Sequence, residues 1–138
     1  MTARTLRRRI GLSLAAVVPL GVLLKFYAGP YQAWVSNSAA GMAYELFWCL
    51  ALFAIWPYRR AINRIVIGVF VVTCGLEAMQ LWQPPLLQAV RSTFPGRALI
   101  GTTFAWSDFA YYAVGSGIGW LWLRWISRSV SYAAPRRQ

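Results

Sequence analysis

The chain holds only three carboxylates, Glu45, Glu77 and Asp108, and no histidine. Each acid falls inside or at the edge of a long apolar run, where an ionised carboxylate costs several kcal/mol unless it is paired. Gln80 follows Glu77 by one helical turn and shares its face. Carboxylates placed this way either move protons as general acids and bases or orient hydroxyl groups by hydrogen bonding. Lys25, Arg91 and Arg97 are the basic residues at a similar level along the chain, and a guanidinium there can fork onto two phosphate oxygens. Glu77 and Asp108 are therefore the candidates for catalysis. Lys25, Glu45, Glu77, Gln80, Arg91, Arg97 and Asp108 are the candidates for binding. The six charged members sum to zero.

No metal centre and no cofactor are expected. Without histidine there is neither a zinc spacing nor a Ser-His-Asp set. Cys49 and Cys74 both lie inside apolar runs and read as small polarizable core residues. Each acid also has a purely structural reading: Asp108 after Ser107 can cap a helix, Glu77 can pin two helices through an arginine, and Lys25 can snorkel.

The elements that must position these residues follow from composition. Of 138 residues 59% are hydrophobic and only 12% charged, yet the net charge is +11. A soluble chain this apolar has too little polar surface to cover itself, and a nucleic-acid binder needs its cations on a folded soluble face. The remaining class is an all-α integral membrane protein. Four apolar segments, residues 10–28, 39–56, 65–82 and 108–123, each approach the roughly 20 residues a helix needs to cross a bilayer. Gly29-Pro30, Pro57 and Pro84-Pro85 punctuate them, and Pro19 is expected to kink the first. The expectation is a four-helix transmembrane bundle, with residues 1–9 and 125–138 as basic tails and 10–124 as the membrane domain.

Eleven arginines fix the direction. Arg4, Arg7, Arg8 and Arg9 precede the first span; Arg59, Arg60 and Arg64 join spans two and three; Arg124, Arg128, Arg136 and Arg137 follow the fourth. The positive-inside rule puts all of these, and both termini, in the cytoplasm. The first span reads as uncleaved, since three more follow it and Gly11-Leu12 does not continue a twin-arginine signal. Antiparallel connections then bring Lys25, Glu45, Glu77 and Asp108 to one outer level, with Glu45 about 9 Å and Glu77 about 7–8 Å deep at 1.5 Å per residue.

Residues 83–107 form the one long connection. Pro84-Pro85 can start a short helix in which Leu86, Leu87, Val90 and Phe94 share one face and Gln88, Arg91 and Ser92 the other. This is expected to be an amphipathic interfacial segment with Arg91 on its wet side. In the last span Gly115 and Gly119 make a small-xxx-small pair, read as an internal helix crossing.

The strings Leu24-Lys25-Phe26-Tyr27-Ala28-Gly29-Pro30, Phe47-Trp48-Cys49, Thr73-Cys74-Gly75-Leu76-Glu77 and Gln80-Leu81-Trp82, with Pro84-Pro85, Gly96-Arg97, Gly101-Thr102-Thr103-Phe104 and Asp108, resemble the bacterial inner-membrane family called Domain of Unknown Function 2809. The resemblance runs from about Leu20 to Arg124 and implies no assigned activity. More distantly, the order Glu77–Gln80, Arg97, Asp108, Gly115, Gly119 is similar to the VanZ-like group, which implies an envelope-related role. In that group an Asn commonly follows the aspartate; here Tyr112 and Ala113 occupy the region.

Three functions remain in view. The first is binding of a lipid, or of the head group of a lipid-linked envelope precursor, at the outer leaflet. The second is an intramembrane enzyme using Glu77 or Asp108 as acid/base. The third is a small proton-coupled exporter. Membrane lipids are the expected partners, and nucleic acid is not.

Overall fold

The computed structural model describes residues 3–79, 85–95 and 106–128, and among these all regular structure is helical, with no strand. Five helices carry the argument: α1 (Ala3–Lys25), α2 (Gln32–Ile55), α3 (Arg59–Met79), α4 (Pro85–Arg91) and α5 (Trp106–Ser127). Tyr31 starts α2 from a left-handed conformation at φ 58°. Within α2 the segment Val35–Ala39 is wound as a π-helix. The expected kink leaves no break in helical assignment, since α1 runs continuously through Pro19.

Burial stripes explain the packing. On α1, Leu6, Ile10, Ser13 and Val17 are buried, a single narrow stripe at helical spacing. On α3 the stripe is Ile62, Ile65, Val66, Val69, Thr73 and Glu77. On α2 it is wider, Ala43, Glu45, Leu46, Cys49, Leu50 and Phe53, because α2 sits in the middle and packs against α1, α3 and α5. The α5 stripe is Gly115, Ser116, Gly119, Leu123, Ile126 and Ser127.

The interior differs along its length. Toward the arginine-bearing ends, Ile10, Leu50, Phe53, Leu123 and Ile126 form an apolar core. Toward the Lys25 end the same stripes continue as Glu45, Thr73, Glu77 and Ser116, all buried.

Helices α2 and α3 are long and apolar enough to cross a membrane. Only 33% of the most apolar stretch of α2, and 28% of that of α3, is covered by the other described residues. Large apolar side chains instead face outward, including Leu12, Leu23, Ile67, Val71, Val72 and Leu121. Helices α1 and α5 have shorter uncharged stretches, residues 10–24 and 109–123. At 1.5 Å per residue each spans about 22 Å, against roughly 30 Å of hydrocarbon.

The helices also carry the basic ends. Helix α1 is helical from Ala3 and buries Leu6 between its arginines. At the other end α5 continues past Leu123 to Ser127, with Ile126 and Ser127 buried. One expectation changes: the interfacial helix exists as α4, with Leu86, Val90 and Phe94 exposed as its apolar face, but Arg91 is buried instead of lying on a wet side. The physical reason lies in what the guanidinium reaches. Arg91 Nη2 donates to the carbonyl of Met79 at 2.9 Å, at the end of α3. That end carries unpaired carbonyls and the negative pole of the helix dipole.

Candidate functional site

Glu45 lies in the middle of α2 and is fully buried. Two hydroxyls from two other helices converge on it. Thr73 of α3 meets Oε1, and Ser116 of α5 donates to Oε2 at 2.9 Å. The Thr73 hydroxyl also lies 2.9 Å from the Val69 carbonyl and 3.0 Å from that of Phe70, within its own helix. One carboxyl thus joins α2, α3 and α5 at a single level.

Glu77, one turn beyond Thr73 on α3, is 1% exposed. Tyr112 Oη donates to its Oε2 at 3.1 Å. Asp108, in the first turn of α5 and half-buried, faces Glu77 closely enough for a hydrogen bond between the two side chains. Lys25, the last residue of α1, is exposed and close enough for its charge to act on Asp108. The polar cluster therefore runs from the buried Glu45, through Glu77 and Tyr112, to Asp108 and Lys25 at the edge.

Close backbone approach makes this geometry possible. A Cβ on Gly115 would lie 2.9 Å from the Glu45 Cβ and 3.0 Å from the Met42 backbone, so only glycine lets α5 sit this near the acid. A Cβ on Gly119 would meet the Cys49 Sγ at 3.1 Å. The glycine pair thus serves an internal crossing of α5 on α2, and Cys49 is the core residue it crosses. Aromatic rings frame the rim. Trp34 Nε1 donates to Tyr111 Oη at 2.8 Å, the two rings meet edge to face, and Trp106 packs against Phe109 on either side of Asp108 in sequence.

Of the residues singled out from sequence, the structure brings together Lys25, Glu45, Glu77 and Asp108. Arg91 is nearby along the chain fold but is directed to the Met79 carbonyl. Gln80 and Arg97 lie outside the described residues. Thr73, Ser116 and Tyr112 were not among the candidates, although a signal existed. Thr73 precedes Glu77 by four residues, and Tyr112 and Ser116 follow Asp108 by four and eight, so each shares a helix face with an acid.

Chemically, these described residues form a helical protein with a hydrogen-bonded acid cluster at one end of its packed helices. The chain matches the family model described as protein of unknown function (DUF2809) over residues 31–116, more than half its length, and belongs to that family. The matched segment contains all three acids and leaves Lys25 and Gly119 outside. No curated protein and no solved structure matches the chain.

Proposed function

We propose that this protein is a four-span inner-membrane protein of bacteria, with both termini cytoplasmic. In this reading its acid cluster receives the polar head of a lipid or lipid-linked envelope precursor at the outer leaflet. Asp108 and Glu77 would orient hydroxyl groups and Lys25 would hold phosphate, while Gln80 and Arg97 remain candidates from the sequence for further polar contacts. The observation that carries the reading is the gradient of the cluster, from the buried Glu45 and Glu77 to the half-buried Asp108 and exposed Lys25. A site of this form has an anchored floor and an accessible mouth. The rings of Trp34, Tyr111, Trp106 and Phe109 beside that mouth suit the interface between headgroups and hydrocarbon. The outward-facing valines and leucines support the membrane setting, and the similarity of the Glu77–Gln80, Arg97, Asp108 order to the VanZ-like group supports the envelope setting.

Deletion of the gene followed by a screen of envelope-targeting antibiotics and lipid extracts tests this. Wild type is expected to rescue the resulting phenotype, and Glu77→Gln and Arg97→Ala are expected to fail. Rescue by both variants, or purified protein carrying no lipid in native mass spectrometry, counts against the reading.

The proximity of Glu77 and Asp108 favours a second reading, because two neighbouring carboxyls can pass a proton between them, as an intramembrane acid/base enzyme or a proton-coupled exporter needs. Proton flux in liposomes that is absent from wild type removes the exporter; an untouched phenotype in Glu77→Gln removes both.

A further inference from the structure

The opposite end of the molecule carries a second polar feature that the acid cluster does not use. Where α2 gives way to α3, an open cleft of about 450 Å³ is lined by Tyr58, Arg60, Ala61 and Arg64. Arg60 lies in the 3-10 turn Arg59–Ala61 that opens α3 and Arg64 in the α-helical part that follows, and both line the cleft. Both are exposed. Among the described residues no acid lies beside them: Glu77, the acid on the same helix, is about 20 Å from Arg64 along its axis at 1.5 Å per residue. A third cation stands beside this stretch. Trp120 of α5 donates its indole N–H to Asn63 at 2.8 Å, and the Arg124 guanidinium sits 4.6 Å from the centroid of that ring. Arg124 is thus held next to the turn that presents Arg60 and Arg64, without neutralisation.

The geometry points to a binding site for the phosphate of an anionic phospholipid, formed by Arg60 and Arg64 with Tyr58 as the hydroxyl donor. Two guanidiniums lining one cleft match the oxygens of a phosphodiester by paired N–H donors. The Tyr58 ring and Ala61 supply apolar surface for the glycerol and first methylenes. Ile55, Trp56 and Trp125, all exposed, belong to the same end of the molecule. Indole rings at this level mark a headgroup boundary, and basic residues close to a span on the cytoplasmic side attract anionic lipid heads. The inference rests on the transmembrane reading above, but not on the proposed recognition at the Lys25 end.

The test is native mass spectrometry of the full chain in detergent, titrated with phosphatidylglycerol, with phosphatidylcholine of the same acyl chains, and with inorganic phosphate as competitor. Wild type is expected to retain phosphatidylglycerol over phosphatidylcholine. The double variant Arg60→Gln/Arg64→Gln is expected to lose phosphatidylglycerol affinity about 30-fold, at roughly fivefold per arginine. The charge-matched control Arg7→Gln/Arg8→Gln, altered on α1 instead, is expected to stay near wild type. Equal retention of both lipids overturns the inference. So does an unchanged double variant, or a control that falls as far, since diffuse charge then explains the binding. Displacement of the lipid by millimolar phosphate assigns the cleft to a free anion and overturns the lipid. Asp108→Asn is expected to leave this binding unchanged, so the two proposals fail separately.

Discussion

Glu45 has no contact with solvent and is tied to its neighbours by hydroxyls from two other helices, Thr73 and Ser116. Removing a partner from a buried polar group leaves that group short of a hydrogen bond, at a cost of about 1–3 kcal/mol. Ser116→Ala is accordingly expected to destabilise the protein by that amount in denaturant unfolding from detergent micelles. Ser127→Ala is the comparison. Its hydroxyl bonds only to the Arg124 carbonyl in its own helix at 3.2 Å, so a smaller loss is expected, below about 1 kcal/mol. Equal losses in the two variants would remove Glu45 as the tie between helices. At this scale the three acids and Lys25 were legible directly, because charged residues in apolar runs stand out. Their partners were not. Serine, threonine and tyrosine are common in membrane helices, and only the rotation of each helix decides which hydroxyls reach a carboxyl.

Between elements, the crossing of α5 on α2 is set by glycine. The space beside Gly115 is occupied by the Glu45 Cβ and the Met42 backbone, which cannot yield as the end of a flexible side chain would. Gly117, on the other side of the same helix, has nothing within 4 Å of where a Cβ would stand. Gly115→Ala is expected to lower stability by about 1–3 kcal/mol through overpacking. Gly117→Ala is expected to be neutral or stabilising by up to about 1 kcal/mol, from the helix propensity gained. Thermal unfolding of the pair separates a packing role from a general effect of glycine in α5. Equal shifts of the same sign in the two variants would overturn the close-crossing account. The spacing of Gly115 and Gly119 announced a tight approach from sequence alone; which helix makes it did not follow from spacing. The short helix α4 shows the converse. Its helical periodicity was legible, but Arg91 was read as if water lay over it. The demand of the last α3 carbonyls for a donor prevailed, and turned Arg91 inward.

Among the described residues most arginines gather at one end, and the acids, with Arg91, at the other. Helices α1, α2, α3 and α5 alternate in direction, which places Arg59, Arg60, Arg64 and Arg124 opposite Lys25, Glu45, Glu77 and Asp108. If the proposed topology holds, a membrane-impermeant thiol reagent is expected to label Ser92→Cys in intact spheroplasts and Arg59→Cys only after permeabilisation. Both positions are exposed. The reverse pattern would invert the topology and move the acid cluster to the cytoplasmic side, while labelling of both without permeabilisation would remove the bilayer between the two ends.

The sequence by itself determined the helical class, the two helices long and apolar enough to cross a membrane, the family and the separation of charge along the chain. These are one-dimensional properties, written in composition, periodicity and the order of residues. Tertiary structure alone decided that Thr73 and Ser116 meet at Glu45, that Glu77 faces Asp108, and that Arg91 turns toward the end of α3. Each of those depends on the rotation of one helix against another. A rotation of about 100° per residue moves a side chain to a different neighbour without altering the hydrophobic pattern enough to reveal it.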